Sequence, residues 1–186
     1  TLCLGLIGAL WGHLAACDTL RIATYNVEMA GTGPGLVLQS LQRGDDPAQL
    51  AAVQVLVKLN ADVVLLTGLD YDLRGAALAA LGQRLADAGA PYPYQLALLP
   101  NTGVATGLDL DGNGVTGEPR DAMAFGLFAG QAGMAVLSRQ QIDTDHLRNF
   151  SGFLWSDLPG NLTLSDTPPT QLLSTAGHYE VPLLLP

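Results

Sequence analysis

Apolar residues fall into three short runs that are separated by polar and glycine-rich segments. The runs are Leu20–Val27, Ala61–Leu66 and Gly133–Ser138. The middle run is β-branched and apolar without alternation, which is typical of a strand buried on both faces. The three runs therefore predict strands. Further extended segments are expected after the turn Pro91–Tyr94, from Phe153 and from Leu172.

A different spacing predicts a helix between the first two strands. Asp45 or Asp46 precedes Pro47, a residue that suits the first turn of a helix. Apolar residues then recur at helical spacing, which places them on one face, and Asn60 ends the helix. The apolar positions are Leu50, Val53 and Val57.

A second helix is expected from about Arg74 to Asp87, with Gly89 as its stop. Its packing positions are Ala77, Leu78, Leu81 and Leu85. Strands and helices then alternate along the chain, which favours an α/β (α+β) fold over an all-β fold. The segment 101–133 is long and rich in glycine, and long loops in compact domains tend to be functional.

The N-terminal residues form a separate apolar unit. Leu2–Ala16 is too short to span a bilayer comfortably, and it ends in Leu14-Ala-Ala-Cys17. This pattern is typical of a signal peptide, and its end matches a bacterial lipobox in which Cys17 becomes the lipid-bearing residue. We therefore assign residues 1–17 to a signal peptide or lipoprotein signal remnant. The alternative is a buried N-terminal helix.

Composition restricts the partners. The 186 residues carry a formal net charge of −9, 48% of them are hydrophobic and 13% are charged. An acidic surface repels the nucleic acid backbone, so nucleic acid is an expected partner only through a bound metal. A phosphate-bearing substrate needs a cation for the same reason. The alternative is that the acidity only keeps an exported protein soluble.

One loop has the spacing of a calcium-binding loop. Asp109, Asp111, Asn113 and Gly114 take the first, third, fifth and sixth positions of that pattern. The twelfth position is Arg120 in place of glutamate, and no amphipathic helix leads into the loop, so an EF-hand is excluded. We expect this loop to bind a cation, with Ca²⁺ as the candidate. The alternative is a solvated turn, since Asp, Asn and Gly are common turn residues.

Polar residues also follow the first two strands. Asn26 and Glu28 come at the end of the first strand, and Asp70 and Asp72 come just after the second. Ligands collect at the carboxyl ends of strands in α/β proteins, and two neighbouring strands bring such residues to the same edge. These four residues are candidate metal ligands. Each of them is equally a possible cap of the following loop or helix.

The three strand segments carry a resemblance. Arg21–Asn26, Ala61–Leu66 with its acidic turn, and Gly133–Arg139 resemble the strands of the endonuclease/exonuclease/phosphatase superfamily, whose best-known members are DNase I-like nucleases. The turn 69–72, the Tyr-Pro-Tyr run and the acidic loop resemble a bacterial branch of exported proteins. The resemblance covers about residues 20 to 182.

The resemblance implies a two-sheet sandwich flanked by helices and metal-dependent hydrolysis of a phosphate ester, with Mg²⁺ or Mn²⁺ at the centre. Asn26 matches the asparagine of the first strand, and His178 resembles a histidine that precedes a strand, so both are candidate catalytic residues. The usual metal-binding glutamate falls at Gly68, and Asp70 or Asp72 is the candidate replacement. The remaining catalytic motifs lie beyond Pro186.

The final residues Val181–Pro186 are apolar, as in the interior of a strand, so residues 18–186 are expected to form a domain that is incomplete at its C-terminal end. An exported, monomeric phosphoesterase is expected, located in the periplasm, outside the cell or on a membrane through a lipid anchor. The alternatives are a non-catalytic, cation-binding module with a degenerate centre, and a partial product that does not fold by itself.

Overall fold

A four-stranded mixed sheet is the centre of the computed structural model, which describes residues 19–162, 170–174 and 176–185. The strand order is β1-β2-β4-β3; β1 and β2 are parallel, and β4 is antiparallel to both of its neighbours. The strands are β1 (Ile22–Met29), β2 (Val63–Leu69), β3 (Tyr94–Ala97) and β4 (Gly133–Ser138). All three strands predicted from the apolar runs are therefore present.

Three helices flank the sheet. They are α1 (Leu36–Arg43), α2 (Pro47–Leu59) and α3 (Ala76–Asp87). Their apolar faces and the inner face of the sheet form one core, whose fully buried members include Leu41, Leu56, Val64, Leu66, Leu81, Leu85 and Leu137. The α/β class expected from the sequence is confirmed. None of the described helices is long and apolar enough to cross a membrane.

Helix α2 begins and ends where the sequence indicates. The Asp46 carboxylate accepts hydrogen bonds from the N–H groups of Ala48 (2.8 Å) and Gln49 (3.2 Å), which otherwise lack partners in the first turn. Asn60 follows the last turn with a φ of 45°. The predicted packing face is wrong at Leu50, which is 46% exposed. The face that packs is displaced around the helix to Ala52, Val53 and Leu56, because the sheet and not the sequence decides which stripe it covers.

Helix α1 is an element that the sequence pattern does not predict. Val37 and Leu41 supply a narrow buried apolar stripe at helical spacing, the partly buried Leu38 packs beside it, and Ser40 is the third buried residue. Glycines stand at both ends in left-handed conformations, and no side chain caps the N-terminus. The helix is therefore stabilised mainly by packing, including its contact with α3.

The outer face of the sheet is only partly covered. The remaining strands are two-residue pieces that pair as β5–β8 and β6–β7: β5 (Gln141–Ile142), β6 (Arg148–Asn149), β7 (Tyr179–Glu180) and β8 (Leu183–Leu184). Residues next to β7 lie over Leu65, Leu96 and Met134 and leave a cleft of about 220 Å³. The predicted signal segment 1–17, with Cys17, lies outside the described residues.

The Asp46 cap gives a test of this fold. We expect Asp46→Ala to lower the free energy of unfolding by about 1 kcal/mol, because two N–H groups of the first helical turn lose their acceptor. The matched control is Asp45→Ala, which removes an exposed carboxylate paired only with Arg43 and should change stability by less than about 0.5 kcal/mol. Urea denaturation measures both. Equal effects of the two substitutions would contradict the cap.

Candidate functional site

Asn26 and Glu28 lie together at the carboxyl end of β1. Both are exposed, whereas Val27 and Met29 between and beyond them enter the core, as the alternation of a strand requires. Both residues line an open cleft of about 740 Å³ along the free edge of β1, with α1 and α2 as its other wall. We call this the β1 cleft. It presents an amide oxygen and a carboxylate to solvent within three residues of chain.

A bulge shapes this end of the strand. The pairing of β1 with β2 shifts between Asn26 and Met29, so Val27 and Glu28 both lie opposite Gly68. Glu28 has a φ of 51°, an uncommon value for a residue with a side chain. Bulges re-aim side chains at the ends of strands and are common at functional sites.

Gly68 is required by the position of Asn26. A β-carbon on residue 68 would lie 2.3 Å from Asn26 Oδ1, and the φ of Gly68 is 70°. The same Oδ1 atom accepts a hydrogen bond from the N–H of Glu28 (3.3 Å). The Asn26 carboxamide thus occupies the space that a side chain at residue 68 would need, and a glutamate could stand there only if Asn26 turned away.

Asp70 is buried behind the strand ends and does not line the β1 cleft. It is 4% exposed, its Oδ2 accepts from the N–H of Gly31 (2.7 Å), and its Oδ1 accepts from the N–H of Ala132 (2.9 Å). Burial raises the pKa of the Asp70 carboxyl above 3.8, while the two backbone N–H groups oppose that shift. Asp72 adds a smaller repulsion that also raises this pKa.

Asp72 begins the next helix. Its Oδ1 accepts from the N–H of Ala77 (2.9 Å), one of the first-turn donors of α3, which is the capping alternative foreseen from the sequence. Its Oδ2 is buried and accepts no hydrogen bond within the described part of the chain. Asp72 lines a different cleft, with Tyr71 and Arg74. Of the four strand-end candidates, only Asn26 and Glu28 share a cleft.

His178 lies on the outer face of the sheet. Its ring is exposed, packs against Phe150 at a centroid distance of 5.4 Å, and its Nδ1 is 3.4 Å from Ser174 Oγ. It lines the small cleft over Leu65 and Met134. Asn26 is opposite Thr67, and Thr67 is opposite Met134. With strands about 4.8 Å apart, two strand spacings, roughly 10 Å, separate Asn26 from Met134 beside His178.

The acidic loop brings three carboxylates together. Oxygen atoms of Asp109, Asp111 and Asp121 lie within 4.8 Å of one another, which is close enough to hold one metal ion. Asp109 and Asp111 are exposed, and Asp121 is fully buried. Asp121 was not among the residues predicted from the spacing. Arg120 occupies the position of the last ligand in the calcium-loop pattern. The signal in the sequence is the acidic residue directly after it, Asp121.

Backbone N–H groups already hold these carboxylates. Asp109 accepts from Gly112, Asn113 and Gly114, and the hydrogen bond from Gly114 is the main reason why the pKa of Asp109 is lowered below 3.8. Asp121 accepts from Leu110 (2.9 Å) and Glu118 (3.1 Å). The backbone of the loop therefore favours the ionised form of Asp109, the form that binds a hard cation.

Asn113 is placed differently from the three carboxylates. Its side-chain N–H₂ donates to the Glu118 carboxylate (2.6 Å), and its side-chain oxygen accepts from the N–H of Val115 (2.7 Å). In this arrangement its side chain stabilises the turn 113–118.

Gly68→Ala tests the contact with Asn26. The β-carbon should displace the Asn26 carboxamide and lower the free energy of unfolding by about 1 kcal/mol more than Gly89→Ala, because the bond to Glu28 is lost. Gly89 is the matched control, since its φ is 81° and no atom lies within 4 Å of its added β-carbon. Urea denaturation and the side-chain amide signals of Asn26 measure the effect. An excess that persists in an Asn26→Ala background would contradict this explanation.

Comparison with known proteins agrees with the strand motifs. A family model described as Endonuclease/Exonuclease/phosphatase family matches residues 23–183, which is most of the chain. No curated protein and no solved structure shows a significant match. The matched range begins inside β1 and ends in β8, so it includes the β1 cleft, the acidic loop and His178. The chain belongs to the endonuclease/exonuclease/phosphatase family.

Proposed function

We propose that this protein is a metal-dependent phosphoesterase whose centre lies at the Asn26–Glu28 end of the β1 cleft. Family membership supports a phosphoesterase or nuclease type of function in general. The observation that carries the finer proposal is that Asn26 and Glu28, which carry an amide and a carboxylate, are both exposed at one strand end and line the same open cleft. Hard divalent cations prefer oxygen ligands of these two kinds.

The residues of the cleft fit a divalent cation such as Mg²⁺ or Mn²⁺. Asn26 Oδ1 and the Glu28 carboxylate would hold it; once bound, the ion stabilises negative charge that develops on a phosphoryl group. The bulge fixes Glu28 beside Asn26, and Gly68 leaves room for the carboxamide. His178 lies over the outer face of the sheet, beside Leu65 and Met134. We include it as a candidate for moving a proton.

The net charge of the chain restricts how a phosphate-bearing substrate can bind. The formal net charge of −9 repels a phosphate ester, so the chain itself offers little attraction to the substrate. A cation between the acidic cleft and the phosphate reverses that repulsion locally. We therefore propose a phosphate ester bound through the metal, and nucleic acid only on the same condition.

Turnover with and without metal tests this function. We expect hydrolysis of bis(p-nitrophenyl) phosphate in the presence of Mn²⁺ or Mg²⁺, loss of turnover in a chelator, and at least a hundredfold lower kcat/KM (about 2.7 kcal/mol) in Asn26→Ala. Glu28→Gln should weaken metal activation. Its matched control is Glu180→Gln, which alters an exposed carboxylate that pairs with Arg148 away from the cleft. Full turnover in the chelator would refute the proposal.

A second function is favoured by two observations. Gly68 removes a possible carboxylate ligand at the centre, while three carboxylates remain together in the acidic loop. A non-catalytic module that keeps a cation for structure fits both facts. We propose Ca²⁺ for the 109–121 loop, because its ligands are all oxygen atoms and the turn is held by backbone N–H groups.

Calorimetric titration with Ca²⁺ tests the loop site. Binding is expected in the unaltered chain and should weaken by about tenfold or more in Asp111→Asn, because one charged ligand is lost. Asp145→Asn is the matched control, an exposed aspartate outside the loop. Calcium binding without phosphoesterase activity would favour the non-catalytic module. If the titration shows no heat of calcium binding, the loop site is refuted.

We also propose that the protein is exported and anchored through Cys17, on the strength of the apolar segment and the lipobox alone. Expression of the natural gene product in a bacterium fed labelled palmitate should label the protein, and Cys17→Ser should abolish the label. Equal labelling of both would refute the anchor.

A further inference from the structure

Both backbone polar groups of Gly31, its N–H and its carbonyl oxygen, form hydrogen bonds with side chains. Its N–H donates to Asp70 Oδ2 at 2.7 Å, and its carbonyl oxygen accepts from Gln131 Nε2 at 2.8 Å. Gly31 lies two residues beyond β1 and lines the β1 cleft together with Asn26 and Glu28. Two side chains from distant parts of the sequence thus determine where the chain goes when it leaves the strand.

The second atoms of both side chains are also engaged. Asp70 Oδ1 accepts from the N–H of Ala132 at 2.9 Å, and Gln131 Oε1 accepts from the N–H of Leu127 at 2.8 Å. Ala132 has a φ of 51°, so this turn is held in a conformation that alanine rarely adopts by itself. The two side chains join three segments: the loop after β1, the turn after β2 and the loop before β4. We call this network the Gly31 clamp.

The hydrogen bonds of the Gly31 clamp fix the position of the backbone. A buried carboxylate is stable only if its oxygens are well hydrogen-bonded, and here both are satisfied by backbone N–H groups. No cation or side-chain donor is needed. A glycine suits the contact, because a β-carbon at residue 31 would lie 3.2 Å from Asp70 Oδ2, closer than ordinary van der Waals contact.

We propose that Asp70 and Gln131 are positioning residues of the β1 cleft, which act through Gly31 and hold its wall in place beside Asn26 and Glu28. The inference rests on the proposed function, because the cleft needs positioning only if it holds a reacting group. Asp70 then serves the centre without being a replacement metal ligand. The acidic turn after β2 connects the loop after β1, which borders the cleft, with the loop before β4.

Asp70→Asn separates positioning from ligation. The variant keeps the size of the side chain but turns an N–H₂ group towards either Gly31 or Ala132, both of which are donors. We expect amide hydrogen exchange at Gly31 to accelerate at least tenfold and kcat to fall at least tenfold. The half-saturating Mn²⁺ concentration and KM should stay within twofold of the unaltered protein.

The controls keep the test decisive. Asp87→Asn is the matched substitution, since Asp87 is an exposed carboxylate that accepts from Gln83, and it should change none of these quantities. If Asp70→Asn fails to fold, Gln131→Leu removes the other half of the clamp and is expected to accelerate exchange at Gly31 in the same way.

Two results would overturn the proposal. One is Gly31 exchange that stays as slow as in the unaltered protein after either substitution. The other is a tenfold weaker affinity for Mn²⁺ in Asp70→Asn, measured by counting free Mn²⁺ with electron paramagnetic resonance, which would make Asp70 a ligand. Failure of the proposed function would look different, as absence of metal-dependent turnover in the unaltered protein, while exchange and Mn²⁺ affinity still report on the clamp.

Discussion

The parallel pairing of β1 with β2 is the interaction on which the remaining structure depends. It runs in register from Ile22 opposite Val63 to Asn26 opposite Thr67. The crossover between the two strands contains α1 and α2, which cover the inner face and bury Leu56 and Leu66 completely. Because the strands are parallel, their carboxyl ends meet at one edge, and every strand-end candidate is delivered there.

Arrival at the same edge does not give these residues the same role. Asn26 and Glu28 are exposed and line a cleft, so both side chains are accessible to a ligand. Asp70, one residue beyond β2, is buried and finds backbone donors on both sides. The two sets of residues stand on either side of the bulge opposite Gly68, where the pairing of β1 with β2 shifts between Asn26 and Met29.

The molecule has two acidic regions, and different interactions act on the carboxylates of each. In the acidic loop, Asp109 and Asp111 are exposed, and the N–H groups of Gly112 and Gly114 favour the ionised form of Asp109. The oxygen atoms of the three loop carboxylates lie within 4.8 Å of one another, close enough to share one cation. Around Asp70 the opposite condition holds, because desolvation disfavours the charge and hydrogen bonds compensate for it.

The sequence by itself determined the three apolar strands, the bounds of α2 with an aspartate as its cap, the α/β class and the family. These depend on local periodicity and on capping residues, which act within a few positions of the chain. It also indicated Asn26 and the carboxylates of the acidic loop, since the spacing of ligands within a loop is local information. Only the tertiary structure decided that Asp121 joins Asp109, that Asp70 faces Gly31 and Ala132, and that Asn26 fills the space beside Gly68. Those contacts join segments far apart along the chain, and bulges, burial and hydrogen-bond donors from other segments select them without leaving a periodic signal in the sequence.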